Sequence, residues 1–406
     1  MLQKIPGRRQ KKCHPEKPQF WCALFLFILL FFVTEGPFAE TQSVSPFNEE
    51  ILQGIGYIYN WEFDRAESLF ARLIQMAPEN PMGHFYYAMV SWSRLISGMW
   101  TEEMVKQYRR RIHRTIDVAK EAVKKNEDDC FAYFYLGGAL GFEGRFKLTE
   151  EKYLSSFFLA RDAIKALKTS QQICPDNLDI LFGLGTFDYY TARLSGVLKF
   201  LSYLLIHRGD KEEGLRKLHI AAESATYSNI EAKSLLLHTY LFMEDEFFDK
   251  ALVLALDLTR RFPDNPRFKY LEGIAYIQLD NNANYRDMLN FFQEKGSQVP
   301  SKNEAFLWRS HGVYLEVSDD LFHNRSEDAR SKLKTIMTQV DPASTPFMVA
   351  WPLLKTGMSY DLEGQREKAL DFYQEVLDLE NAAGAQFLAE RYKRNSVKPK
   401  DPFIGY

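Results

Sequence analysis

Hydrophobic positions along this chain recur with a helical period, in pairs of segments separated by short polar turns. Residues 48–80 (NEEILQGIGYIYNWEFDRAESLFARLIQMAPEN) contain one such pair. A small residue on each segment lets two helices approach closely, aromatic residues fill the space between neighbouring pairs, and proline ends the second helix. The pattern predicts a helical hairpin with fixed positions at Gly54, Tyr57, Ala66, Phe70 and Pro78.

The same register recurs further along the chain, which makes the pattern a repeat. The spacing resembles the tetratricopeptide repeat, a helical hairpin of 34 residues. This resemblance implies an all-α solenoid of about seven antiparallel hairpins, some with lengthened helices, over residues 47–384. The recurring positions are Gly357, Tyr360, Ala369 and Tyr373 near the C-terminus, Ala251 with Pro263, Gly273 with Tyr276, and Gly137 and Gly185 in longer copies.

Glycines at 138, 141 and 144 (GGALGFEGRF) raise the alternative of a phosphate-binding loop. Such a loop lies between a β-strand and a helix, with its backbone N–H groups free to point at the anion. Here the preceding residues DDCFAYFYL have the pattern of a helix start capped by an acidic residue. We therefore expect the glycines to be packing residues, with Gly144 in the turn after the helix.

The N-terminus has the pattern of an export leader. Six basic residues precede the apolar run Phe20–Val33, which is short for a bilayer span and typical of a signal-peptide core, with Ala39 as the cleavage point. The alternative is an uncleaved anchor. Removal of residues 1–39 leaves 45 basic and 52 acidic residues, a net charge of −7, which disfavours nucleic acid as a partner. We expect an exported protein of the bacterial periplasm or cell envelope.

The candidate chemistry is sparse. The eight histidines show no metal-ligand spacing, and no serine or cysteine lies in a nucleophile motif. The sequence therefore predicts a protein that is not an enzyme and has no metal or cofactor. Cys130 and Cys174 begin and end one predicted hairpin, so they form a disulfide in an oxidising compartment or remain two buried thiols.

The repeat resemblance also implies which side chains line the concave groove. Repeats that bind acidic tails carry Lys, Arg and Asn there, whereas this chain carries aromatic residues, which favour an apolar helix or extended peptide. The alternative is that lengthened hairpins fold inward and bury the same residues as core. The predicted groove residues are Phe131, Phe134, Phe182, Tyr189, Tyr240, Tyr270, Trp351 and Met358.

Two further segments bear on membrane contact. The basic patch of Lys106, Arg110, Arg111 and Arg114 is either a solvated helix face or a contact for anionic lipid or an acidic partner. The apolar run 197–206 (VLKFLSYLLI) is either buried between helices or in contact with a membrane.

Residues 183–218 (GLGTFDYYTARLSGVLKFLSYLLIHRGDKEEGLRKL) also resemble the eukaryotic tetratricopeptide family associated with inclusion-body clearance and mitochondrial outer membranes. This chain has Leu194-Ser195-Gly196 where that family has prolines. Because it also begins with an export leader, that family's location does not transfer.

Two functions remain open at this point. The first is a non-enzymatic exported scaffold or adaptor that binds another protein or peptide in its aromatic groove. The alternative is a membrane-tethered helical-repeat protein that contacts lipid. Residues 385–406 are expected to form a short polar tail.

Overall fold

The structure of this chain is a computed structural model that describes residues 47–97, 101–150, 152–193, 209–244, 247–300, 302–340, 347–379, 382–401 and 404. Within these ranges the chain forms 17 α-helices and no β-strand. The export leader and the apolar run 197–206 lie outside the described residues.

The helices follow one another in pairs. The first helices are α1 (Asn48–Tyr59), α3 (Pro81–Ile96), α5 (Cys130–Thr149), α7 (Ile180–Ala192), α9 (Asn229–Phe242), α11 (Pro266–Gln278), α13 (Lys302–Phe322) and α15 (Phe347–Leu362). The second helices are α2 (Phe63–Met76), α4 (Glu102–Lys125), α6 (Tyr153–Ile173), α8 (Lys211–Ser224), α10 (Phe248–Arg261), α12 (Asn282–Gln298), α14 (Ser326–Met337) and α16 (Arg366–Asp378). A single helix, α17 (Ala385–Arg394), follows the last pair.

The helix contacts are those of a solenoid. Each helix packs against its neighbours in the chain, and each first helix also contacts the next first helix, from α1 with α3 through to α11 with α13. The predicted all-α solenoid of antiparallel hairpins is therefore confirmed. Its described part contains eight hairpins, against about seven expected.

Side-chain caps set where several helices begin. Asn80, Asp129, Asp210 and Asn265 each accept a hydrogen bond from a backbone N–H two or three residues later. Proline occupies the first position of α3 and α11, where its missing N–H costs nothing. The predicted acidic cap of α5 is thereby confirmed in Asp129.

The small-residue positions bring the two helices of a hairpin together. A Cβ built on Gly54 would lie 2.1 Å from Cζ of Phe70, and one built on Gly357 would lie 2.6 Å from Cε1 of Tyr373. Both pairs are the positions that the sequence register matched, in the first and last hairpins. Gly273 differs, because its nearest neighbour is Leu315 of the next first helix.

All three glycines of the GGALGFEGRF stretch lie within α5, and the packing role is confirmed for Gly138 and Gly144. A Cβ on Gly138 would lie 3.0 Å from Phe85 of α3, and one on Gly144 would lie 3.3 Å from the carbonyl oxygen of Ser156 in α6. The expectation that Gly144 belongs to a turn was wrong. Helix α5 continues to Thr149, and Gly144 lets the backbone of α6 approach it.

The array closes on itself through its first hairpin. The Tyr59 hydroxyl donates to Glu231 of α9, and the Asn265 amide donates to the Tyr59 carbonyl oxygen at 2.9 Å. The Tyr59 ring lies 5.4 Å from that of Phe262 and 5.8 Å from that of Phe268. The end of α1 is therefore held against elements about 170 and 200 residues further along the chain.

The segment expected to be a polar tail packs against the last hairpin. Tyr392 of α17 is 1% exposed, and its hydroxyl donates to Asp401 at 3.0 Å. The Lys355 amine of α15, itself 1% exposed, donates to the carbonyl oxygen of Ile404. Helix α17 also returns to the third hairpin, where Gln386 donates to the Thr149 carbonyl oxygen at 3.3 Å.

Candidate functional site

The closure of the array leaves a cleft of about 410 Å³ between α1, the turn before α9 and the end of α10. This volume falls within the range of small ligand pockets. Most of the lining is apolar, and one side chain in it is charged. The lining residues are Leu52, Ile55, Gly56, Thr226, Tyr227, Asn229, Ile230, Arg261 and Phe262.

Helix α1 supplies one wall of the cleft. Leu52, Ile55 and Gly56 share a helix face because they are spaced by three and four residues. Leu52 is 40% exposed, whereas Ile55 is buried. No atom lies within 4 Å of a Cβ built on Gly56, so the missing side chain of this glycine is part of the open space.

The turn before α9 supplies a second wall, and Asp179 at the start of α7 holds it in place. The Asp179 carboxylate accepts hydrogen bonds from the backbone N–H of Tyr227 at 2.8 Å and of Ser228 at 2.7 Å, and from the Ser228 hydroxyl at 2.8 Å. Burial raises the pKa of Asp179, although these hydrogen bonds favour the charged form. The wall is thus fixed by a buried polar network rather than by packing alone.

Arg261 lies at the rim of the cleft, at the end of α10. Its side chain is exposed, and no acidic side chain of the described residues forms an ion pair with it. The nearby Asp257 is already occupied, because it accepts from Lys233 at 2.5 Å and from Arg260 at 3.0 Å. Hydrogen bonding from Lys233 is the main reason that the pKa of Asp257 is lowered. The rim therefore presents a guanidinium beside an apolar surface.

The aromatic groove expected from the sequence is largely filled. Among the predicted groove residues, Phe131, Phe182 and Tyr270 are partly buried. The prediction was wrong for five others, which are core residues: Phe134, Tyr189, Tyr240, Trp351 and Met358, each 8% exposed or less.

Neighbouring elements cover these five positions, which is why they do not line an open groove. The Tyr189 hydroxyl donates to Glu244 at 2.8 Å, between α9 and α10. The Tyr240 hydroxyl lies 2.6 Å from Nε2 of His219 in α8. The Trp351 indole donates to the carbonyl oxygen of Ala383, just before α17.

The predicted basic patch divides between two faces of α4. Lys106, Arg110 and Arg114 are exposed, and Lys106 pairs with Glu102 at 2.5 Å. Arg111 is 8% exposed, so its inclusion in the patch was wrong.

Arg111 instead joins a buried network between the first two hairpins. Its guanidinium lies 3.6 Å from the centroid of the Tyr87 ring and pairs with Glu67. Burial alone would raise the pKa of Glu67, but the hydrogen bonds and charges of Arg111 and Arg94 lower it. The network therefore stabilises the packing of α2, α3 and α4.

Cys130 and Cys174 are joined by a disulfide that closes a 44-residue separation, with their Cα atoms 5.9 Å apart. Cys130 begins α5, and Cys174 caps the end of α6. Antiparallel packing of the two helices puts these ends side by side. The hydroxyl of Ser170, one turn before Cys174, donates to the Cys130 carbonyl oxygen at 2.7 Å.

Two histidines, His238 and His311, are buried in the packed interior. Burial lowers the pKa of His238 to about 3 and that of His311 to about 4, so both are neutral at physiological pH. Across the described ranges, no three His, Cys, Asp or Glu side chains are grouped as a metal site. None of the helices in those ranges is long and apolar enough to cross a bilayer.

Comparison with known proteins adds distant structural similarities. No family model matches the chain, and no curated protein matches it. Human IFIT1 in its dimer with PPP-AAAA is 12% identical with a TM-score of 0.42, over 87% of this chain and 88% of that one. The TPR domain of P58(IPK) is 14% identical with a TM-score of 0.23, over 89% of this chain and 96% of that one.

Because these TM-scores are low, the similarities give no information about the site or its ligand. The fold is established by the helix order and by the contacts of the small-residue positions in the chain itself. It is an all-α array of hairpins of the tetratricopeptide type.

Proposed function

We propose that this chain is a non-enzymatic scaffold that binds another protein through the cleft between α1, α9 and α10. The observation that carries the proposal is the cleft itself, which presents apolar surface and an exposed guanidinium on a rigid helical array. Repeat arrays act through such surfaces because stacked hairpins supply stability independently of the ligand.

We further propose that the protein is exported to the bacterial periplasm or cell envelope. The basic and apolar leader supports this location. The Cys130–Cys174 disulfide supports it independently, because disulfides persist in oxidising compartments and are rare in the cytosol.

Site-specific photo-crosslinking in cells tests the scaffold function. A benzoylphenylalanine at Leu52, in the cleft, is expected to crosslink a defined protein partner. The same probe at Met76, which is 61% exposed on α2 and outside the cleft, is the matched control. Equal crosslinking at both positions, or none at Leu52, contradicts the assignment of the cleft.

Fractionation tests the location. We expect the chain in the periplasmic or envelope fraction, with faster migration on a non-reducing gel than after reduction. A Cys130→Ser/Cys174→Ser variant should lose this difference in migration. A cytosolic chain with both thiols free to react with maleimide would refute export.

One structural observation favours lipid contact as a second candidate function. Apolar side chains are exposed together where α5 ends, α6 begins and α17 returns. Leu154 is 62% exposed and Phe158 41%, and the Tyr153 ring lies 6.4 Å from that of Phe387. Exposed apolar side chains that cluster in this way are typical of interaction surfaces.

Binding to vesicles distinguishes this candidate. Lipid contact at this surface predicts binding to vesicles that contain phosphatidylglycerol, and loss of binding in a Leu154→Glu/Phe158→Glu variant. Val253→Glu is the control, because Val253 is 68% exposed on α10, away from the cluster. Equal binding by both variants would refute lipid contact at this surface.

A further inference from the structure

Helix α6 carries an exposed stripe whose two ends differ in chemistry. The exposed side chains at positions 154, 158, 161, 165 and 168 are spaced alternately by four and three residues, so they share one face of the helix. The stripe begins with Leu154 and Phe158, which are 62% and 41% exposed. It continues with Arg161, Lys165 and Lys168. One line along the protein surface is therefore apolar at one end and basic at the other.

The two helices that expose Leu154, Phe158 and Phe387 are both positively charged, although the whole chain has a net charge of −3. Helix α6 has three basic residues and one acidic residue, Asp162, which gives +2. Helix α17 likewise has three basic residues and one acidic residue, Glu390. Positive charge is thus concentrated on the helices that form this apolar surface.

The charges at the far end of the stripe are available to an anionic partner. Lys165 and Lys168 are exposed, and no acidic side chain of the described ranges forms an ion pair with either. Arg161, by contrast, pairs with Asp162 at 2.8 Å, and its guanidinium lies 5.2 Å from the centroid of the Phe158 ring. At 1.5 Å per residue, the two lysines lie about 10 and 15 Å along the helix from Phe158.

The exposure and the residue types of this stripe favour a membrane surface over a protein. The side chains that anchor a protein–protein interface lie in well-packed pockets, and lysine is depleted at such interfaces. Leu154, by contrast, projects from the surface. A helix at a membrane interface inserts projecting apolar side chains at the headgroup boundary, while its lysines reach the phosphates through their flexible stems.

From these features we infer that α6 lies along an anionic phospholipid membrane, with its apolar end inserted at the acyl boundary and its basic end on headgroup phosphates. Leu154 and Phe158 form the inserted end, and Lys165 and Lys168 bind the phosphates. This inference rests on lipid contact, the second candidate function above, and specifies the lipid class and the residues that recognise it. Each basic side chain near an anionic surface strengthens binding about fivefold, so the two lysines together should contribute about 25-fold.

The test is photo-crosslinking of the full-length chain to lipid. Benzoylphenylalanine replaces Phe158, and the chain is mixed with vesicles of phosphatidylcholine alone or of an equimolar mixture with phosphatidylglycerol. Contact is measured at one position, so binding of the apolar run Phe20–Val33 to the same vesicles does not contribute to the signal. We expect crosslinks to lipid in the mixed vesicles and few in phosphatidylcholine. The same probe at Val253, which is 68% exposed on α10, is the control and should crosslink to lipid in neither.

Substitutions separate the headgroup contact from insertion of apolar side chains. With the probe kept at Phe158, Lys165→Gln/Lys168→Gln should lower the yield in mixed vesicles about 25-fold at low lipid concentration. The small yield in phosphatidylcholine should not change. Lys302→Gln/Lys334→Gln removes the same charge from exposed positions on α13 and α14 and should leave both yields unchanged. Because all four lysines are exposed, these variants should keep the fold, which circular dichroism verifies.

Two outcomes would overturn the inference while lipid contact stands. These are equal yields at Phe158 in the two kinds of vesicle, and an unchanged yield in Lys165→Gln/Lys168→Gln. Absence of lipid crosslinks at Phe158 in both kinds of vesicle would refute lipid contact and the inference together. Capture of a protein and no lipid by the same probe in cells would make this surface a protein interface, and the inference would fall.

Discussion

The buried amine of Lys355 should make this chain more stable as the pH rises above 7. Lys355 is 1% exposed in α15 and donates to the carbonyl oxygen of Ile404. Burial lowers its pKa from the ordinary 10.5 to about 7. At about 1.4 kcal/mol per pH unit, keeping this amine charged in the core costs about 5 kcal/mol below pH 7.

The sign follows from proton binding in the two states. Between pH 7 and 10.5 the unfolded chain holds a proton on Lys355 that the folded chain has released, so raising the pH favours the folded chain. From pH 7 to pH 9 this single group should increase the free energy of unfolding by about 2 kcal/mol. Below pH 7 both states are protonated, and the penalty stays constant.

The perturbation is Lys355→Met, which keeps the length of the side chain and removes the charge. We expect the variant to gain up to about 5 kcal/mol at pH 6 and to lose the rise between pH 7 and 9. Urea unfolding followed by circular dichroism at several pH values measures both quantities. Lys368→Met, at an exposed position on α16, is the control and should retain the wild-type slope.

The result that would refute this reasoning is an unchanged slope in Lys355→Met. The pH dependence would then come from other groups. A loss of stability in the variant at pH 6 would equally contradict this expectation, because removal of a buried charge that has no acidic partner among the described residues should be favourable there.

Two other features give predictions of definite direction. Reduction of the disulfide, or a Cys130→Ser/Cys174→Ser double variant, should lower the free energy of unfolding by about 4 kcal/mol, which is the loop-closure value for a 44-residue separation. Urea unfolding with and without reductant measures this change. Equal stability in the two conditions would show that the bond is absent. Gly54→Ala should destabilise the chain by about 1–3 kcal/mol because its Cβ would meet the buried ring of Phe70, whereas Gly56→Ala, two residues along the same helix, should stabilise it by up to about 1 kcal/mol. Equal shifts of the thermal midpoint in the two alanine variants would show that the contact with Phe70 does not limit the packing.

The fold was predictable because its signals are local. Gly54 with Phe70 and Gly357 with Tyr373 are separated by the same distance in sequence, and in each pair the glycine makes room for the ring. Helix caps such as Asp129 are equally local. A hairpin repeats these signals every time it occurs, so the sequence alone indicates the architecture.

The candidate site was not predictable in the same way, because it depends on how the hairpins are stacked. Leu52 and Ile230 line one cleft although they are far apart in sequence. The pattern of a single hairpin contains no information on the superhelical path that brings them together. The same limit explains Tyr189 and Trp351, which occupy concave positions in the repeat but are covered by the next hairpin and by the segment before α17, respectively.

The contact of Tyr59 with Glu231 and Asn265 limits the gain or loss of hairpins in this protein during evolution. An open array can gain or lose a hairpin by duplication or deletion, since each unit meets only its neighbours. Here three whole hairpins lie between α1 and α9, and the closure requires that number. Insertion or deletion of one of these units would displace Tyr59 from its partners and open the cleft, so the closure constrains the copy number of this stretch.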